Sequence, residues 1–196
     1  MQFTEGSFYH IYNRGNDQRK IFLQERNYDF FLEKVKKYIV PNAELMAWCL
    51  MPNHFHFLVQ ANPSTLKVVK KIPIEINALT EGVRLMLSSY TRAIQKQESL
   101  VGSLFQQKTK FKCADDYLMT AFHYVHQNPL RAGLVKRLED YRWSSFGEYV
   151  GARHQDDLLI CNQQIAYQFM DIDKERILRD SYSVIPDDVM RKVEGQ

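Results

Sequence analysis

Two histidines separated by one phenylalanine, His54 and His56, lie in the apolar run CLMPNHFHFLVQ, residues 49–60. Side chains on a β-strand alternate between faces with period two. A strand here sends both imidazoles to one side, about 7 Å apart along the backbone, and sends Phe55 and Phe57 to the other. Imidazoles spaced in this way can converge on one metal ion. Taken alone, the tripeptide fits two half-exposed strand histidines more readily, and a divalent ion needs more than two ligands. A second run, DYLMTAFHYVHQNP at 116–129, supplies candidates. On a helix, Tyr117, Tyr124 and Asn128, at spacings of seven and four, share one face, whereas His123 and His126 fall elsewhere. Asn128 offers an oxygen, and hard ions such as Mg2+ or Mn2+ accept mixed imidazole and oxygen ligation. A tyrosine hydroxyl beside a metal-polarised phosphate is a competent nucleophile, and the product is a phosphotyrosine. Tyr124 is equally a residue type that fills cores, and physics alone favours that use.

These residues need elements to hold them. SFYHIYNRGND alternates aromatic and polar residues and ends in a turn, which predicts a strand and then a loop. Tyr28, Phe31, Leu32, Val35, Tyr38 and Ile39 recur at helical spacing, with Pro41 as the stop. AELMAWCLM and HFHFLVQ read as two strands joined at Met51-Pro52-Asn53, a hairpin. A helix follows from Ala78 to Ser99, then a strand over 102–114. The last helix is expected to be capped by Asp115 or Asp116 and limited by Pro129. This order, β-α-β-β-α-β followed by a further helix, predicts an α+β protein of ferredoxin-like (RRM-like) plan. Its antiparallel sheet carries helices packed on one face, leaving the other face free to bind. A mostly helical C-terminal extension completes the chain.

The 196 residues suffice for one compact domain. No apolar run approaches the roughly 20 residues of a membrane helix, and no secretory leader is evident at the start. Three scattered cysteines suit a reducing, cytoplasmic setting. Net charge is +3, unevenly spread: residues 1–137 carry 19 basic and 11 acidic side chains, residues 138–196 carry 7 and 12. A basic body with an acidic tail suggests an anionic partner, nucleic acid first among them. Lys108, Lys110 and Lys112 alternate on the predicted strand and so face one side, a row able to track a phosphate backbone or to protect a strand edge.

WCLMPNHFHFLV resembles the His-hydrophobe-His strand of the HUH single-tyrosine transposases, in particular the REP-associated tyrosine transposase-like group. YHIYNRGNDQRKIF is similar to that family's first strand and Arg-Gly loop, and GSLFQQKTKFK to its Gly-x-x-aromatic-Gln strand. YLMTAFHYVHQNPLRAGLV is similar to its tyrosine-bearing helix and YRWSSFGEY to its Trp-Ser-Ser segment. The match runs in order over about residues 6–150. The resemblance implies residues 1–150 as a transposase-like domain, with 61–80 as an insertion longer than the family's connection, and 151–196 as an acidic extension. It implies His54 and His56 as the metal pair, Asn128 as the third ligand and Tyr124 as the nucleophile, with Tyr117 the competing tyrosine. Arg14, Lys108, Lys110 and Arg131 match its basic positions.

The implied activity is a transposase's: metal-dependent single-stranded DNA endonuclease and strand transferase, recognising DNA hairpins through a 5′-phosphotyrosine intermediate. The implied cofactor is Mg2+ or Mn2+ and the implied partner single-stranded or hairpin DNA, with no membrane and no nucleotide cofactor; a homodimer and a monomer both stay open. The alternatives are a domesticated hairpin-binding protein that does not cleave, and a metal phosphoesterase acting through water.

Overall fold

A computed structural model describes residues 2–71, 73–152, 159–186, 189–190 and 193. Its strands are β1 (Phe8–Arg14), β2 (Glu44–Met51), β3 (His54–Gln60), β4 (Val68–Lys70), β5 (Ile76–Asn77) and β6 (Lys110–Cys113). Its helices are α1 (Glu25–Tyr38), α2 (Pro63–Leu66), α3 (Ala78–Glu98), α4 (Leu118–Arg131), α5 (Phe146–Val150), α6 (Gln163–Met170) and α7 (Lys174–Asp180). Four strands form one sheet in the order β2-β3-β1-β6, with every neighbouring pair antiparallel. With the small β4–β5 hairpin set aside, this is the predicted β-α-β-β-α-β arrangement. Segment 61–80 holds α2 and that hairpin.

Alternation sorts the strand residues into two cores. Ile11, Leu50, Phe55, Phe57 and Val59 pack with Phe31 and Val35 of α1 and with Leu79, Met86 and Tyr90 of α3. The helices of the plan therefore share one face. On the other face Met46, Ala47, Cys49 and Leu58 meet Ala121, Phe122 and Val125 of α4, joined by Phe146, Tyr149 and Ile177. Met46 and Ala47 fall on the same side because β2 shifts register between Leu45 and Ala47. The second face, left wholly open in the sequence reading, is thus covered over β2 and β3. What remains open is the part of β1 and β6 around Tyr12, Arg14 and Lys110, bounded by one edge of α4.

Two local details position that edge. Neither Asp115 nor Asp116 caps α4, which begins only at Leu118. Asp115 Oδ1 instead accepts a hydrogen bond from the Phe8 backbone N–H at 2.6 Å, tying the approach to α4 onto the start of β1. Pro129 does not stop the helix either: α4 runs on to Arg131. Proline removes the hydrogen bond owed to the carbonyl four residues back. Here the Asn128 side-chain amide lies 3.4 Å from that carbonyl, Val125 O, and donates at 2.8 Å to Tyr124 O.

The predicted last strand is shorter than its alternation suggests, with regular pairing only at Lys110–Cys113 and one bridge between Phe105 and Gly15. At the opposite edge Trp143, Ser144 and Ser145 pair with β2: Leu50 N–H donates to Trp143 O at 2.9 Å and Ser145 N–H to Trp48 O at 2.9 Å. The Trp-Ser-Ser segment so closes an edge that would otherwise expose unpaired backbone. Of the helical stretches expected in the acidic tail, α6 and α7 are present; the parts at 153–158, 187–188, 191–192 and 194–196 lie outside the described residues. Among the described residues no helix is long and apolar enough to cross a membrane.

Candidate metal and nucleophile site

β1 and β3 pair so that Tyr12 stands opposite His56 and Arg14 opposite His54. Counting by twos, His10, Tyr12 and Arg14 of β1 rise from the same face as the two histidines, and Lys110 lies across from Tyr12 on β6. These side chains form the floor of a cleft of about 420 Å3, which Gln106 and Lys108 also line. Tyr124 and Asn128 of α4 form its wall. The four positions singled out by sequence, His54, His56, Tyr124 and Asn128, therefore line one cavity.

Within it the rings are close. His54 and His56 have centroids 5.0 Å apart, and Tyr124 meets His56 edge-on at 5.5 Å and His10 at 5.9 Å. The His54 Nδ1–H donates to Asn53 Oδ1 at 2.6 Å, which leaves the Nε2 lone pair for the cleft. His54 also interacts with the Asn128 side chain. The amide nitrogen of Asn128 is committed to Tyr124 O, so its oxygen is the atom left to accept at His54 or at a cation in the cleft. His56 is buried, and its Nε2 has no hydrogen-bond partner. Burial pushes His54 down to about 4, with the Asn128 side chain opposing the shift and the charge of Arg14 adding to it. Burial, reinforced by His10, His54 and Arg14, holds His56 well below its ordinary value. Both imidazoles are therefore neutral at neutral pH, the state in which nitrogen binds a metal. Among the described residues no group of three or more His, Cys, Asp and Glu side chains converges as a metal cage. The donor set that fits a divalent ion is two imidazoles and one amide oxygen.

The basic residues divide. Arg14, Lys108 and Lys110 line the cleft. Lys112 projects from the same side of β6, but its ammonium stands 5.9 Å from the Tyr117 ring, away from the cavity. Arg131 lies 5.8 Å from the Tyr124 ring centroid, outside the lining. Tyr117, the competing tyrosine, precedes α4 and does not line the cleft; its hydroxyl is buried and burial pushes it up to about 12.

Sequence reasoning missed His10, Tyr12, Asn53 and Gln106. For the first two the signal was present: His10, Tyr12 and Arg14 alternate in FYHIYNR, the same period that drew attention to His54 and His56. Gly15 follows them. A Cβ there meets Arg19 O at 2.2 Å, and its N–H donates to Asn53 O at 2.8 Å, so the Arg-Gly turn ties the end of β1 to the β2–β3 loop.

No family model matches the chain, and no curated protein matches it in sequence. Among solved structures, a REP-associated tyrosine transposase bound to a REP hairpin is similar, with a TM-score of 0.59 at 17% identity, over 83% of this chain and 93% of that one. At that identity the likeness establishes a shared fold.

Proposed function

We propose that this protein cuts and rejoins single-stranded DNA at hairpin elements, with Tyr124 as nucleophile. The observation that carries the reading is the meeting of Tyr124 with His54, His56 and Asn128 in a cleft rimmed by Arg14, Lys108 and Lys110. The similar solved structure, bound to a REP hairpin, supports a DNA hairpin as the ligand. On this reading residues 1–150 form the catalytic unit.

His54, His56 and Asn128 would hold a divalent ion, Mg2+ or Mn2+, whose chemistry is to neutralise charge on the scissile phosphate. Arg14, Lys108 and Lys110 draw the flanking phosphates into the cleft, so binding weakens with salt. The phenolic oxygen of Tyr124 forms a bond to phosphorus as the bond from phosphorus to the 3′-oxygen breaks. The departing strand keeps a 3′-hydroxyl, which accounts for the phenolic proton, and the phosphate stays on Tyr124 as a 5′-phosphotyrosine. A 3′-hydroxyl from another strand reverses the attack, so rejoining needs no nucleoside triphosphate.

The test is an end-labelled single strand bearing a hairpin, incubated with protein and Mn2+ and run on a denaturing gel, with EDTA as control. The expected products are a shortened strand ending in a 3′-hydroxyl and a protein–DNA adduct, both absent in EDTA. Cleavage without adduct would indicate attack by water. Retardation on a native gel without cleavage would indicate a hairpin-binding protein.

A further inference from the structure

His10 is fully buried beneath the cleft, one corner of a triangle of near-parallel rings with Tyr12, 4.7 Å away at 27°, and His56, 5.0 Å away at 18°, which are themselves 5.8 Å apart. Its Nε2 lies 2.8 Å from the His56 Nδ1. One hydrogen occupies that gap, and its owner decides what His56 presents to the cleft. If His10 owns it, His56 carries its own hydrogen on Nε2, a buried donor without an acceptor. If His56 owns it, its Nε2 offers a lone pair.

Two observations favour the second state. Besides His56, the Val193 backbone carbonyl and the Lys112 charge act on His10; the carbonyl favours a proton on the ring, although His10 Nδ1 completes no full hydrogen bond, and the Lys112 charge disfavours a cationic ring without selecting a tautomer. A carbonyl only accepts, so it places hydrogen on Nδ1 and leaves the His10 Nε2 as acceptor. The second is the parallel with His54, whose Nδ1–H is already given to Asn53 Oδ1. Both cleft histidines then have Nδ1 anchored and Nε2 turned inward, as metal-binding imidazoles have when the outer nitrogen is held.

We propose that His10 is a positioning residue: it accepts a hydrogen bond from the His56 Nδ1–H and holds His56 in the tautomer whose Nε2 lone pair faces the cleft. The assignment rests on the metal reading of the site given above. A carboxylate in this place would fix the same tautomer. It would also bring a negative charge under a cleft that has to admit a phosphate, and neutral imidazole does not. The stacked geometry adds a second constraint, since His10 and Tyr12 fix the plane in which His56 can turn.

The experiment uses full-length protein with 15N-labelled histidine in metal-free buffer, in three forms: wild type, His10→Gln, which retains an acceptor, and His10→Phe, which retains the stack alone. Ring-nitrogen chemical shifts report where His56 carries its hydrogen, and Mn2+ affinity is read by calorimetry on the same samples. Wild-type His56 is expected to be protonated on Nδ1 alone. In His10→Phe it becomes a mixture and Mn2+ affinity falls about 10- to 100-fold, the loss typical when the group behind a metal-binding histidine is removed. His10→Gln restores both towards wild type. Wild-type His56 protonated on Nε2 overturns the proposal, as does a Phe variant with unchanged tautomer and affinity. If wild type binds no Mn2+, the metal reading itself fails, and the tautomer signal still decides what His10 does.

Discussion

His54 and His56 differ in how they are held. His54 gives its Nδ1 hydrogen to an adjacent loop residue, Asn53, while His56 relies on a contact 46 residues away, to His10. Removing a donor from this set should show directly in metal binding. His56→Ala and Asn128→Ala are each expected to weaken Mn2+ affinity by more than about tenfold, the scale of disturbing even the groups behind a ligand, as titrated by calorimetry. Tyr124→Phe should leave that affinity, and hairpin binding by native gel, close to wild type. Among the basic residues, Lys110 lines the cleft, so Lys110→Ala should flatten the dependence of log affinity on log salt by about one contact's share. Lys112→Ala should change the slope less, because its ammonium stands beside Tyr117. The alternation of the three lysines was legible in sequence. Which of them reach the cavity was not, since that depends on where α4 and Tyr117 sit.

At the scale of elements, the site is a seam between α4 and β1–β3, and small residues let its supports close. Gly82 of α3 packs against the end of α1: a Cβ there would stand 2.2 Å from Tyr38 O, a backbone atom with little room to yield. Gly82→Ala should therefore destabilise the protein by about 3 kcal/mol, at the upper end of ordinary overpacking, as measured by urea denaturation with the slope unchanged. The β2–β3 hairpin was readable from its Met51-Pro52-Asn53 turn, of which Met51 proves to be the last residue of β2, and α1 from its apolar spacing, because both signals are local. The start of α4 was not. Asp115 has the chemistry of a helix cap, yet its carboxylate serves the Phe8 backbone 107 residues earlier, a competition no local pattern encodes. Pro129 misled for the converse reason: a side chain one residue before it reaches the carbonyl that proline leaves without its partner.

Among the described residues, burial holds the histidines toward the uncharged form. His10 and His126 are each pushed by burial from 6.5 to about 3, and His126, on α4, meets Ser145 Oγ at 2.8 Å. Unfolding returns both to ordinary values, so between pH 6.5 and 3 the unfolded chain binds more protons than the folded one. Stability is then complete above about pH 6.5 and falls as pH drops through that window, by up to about 1.4 kcal/mol per histidine per pH unit. The thermal midpoint should therefore decrease steadily from pH 7 to 5, and a midpoint that rises over that range would contradict these protonation states. The acidic C-terminal part completes the far side of the same helix. Ser181 accepts or donates at His123 Nδ1, 2.8 Å away, and Gln127 Nε2 donates to Ser181 O and Ser183 O. The charge division along the chain was visible in the sequence; the back of α4 as the place where the acidic part docks was not, because which apolar face Ile172 and Ile177 meet, and where Ser181 and Ser183 fall, is set by tertiary packing.

The central claim is that Tyr124, set by α4 against the two strand histidines, becomes joined to DNA. It is tested most directly by trapping the denatured protein–DNA adduct from a hairpin-bearing single strand and Mn2+, digesting both components, and sequencing the nucleotide-bearing peptide by tandem mass spectrometry. The account predicts one modified peptide, with the phosphodiester on Tyr124, and none from Tyr124→Phe protein. A phosphodiester on Tyr117, or an adduct that survives Tyr124→Phe, would contradict it.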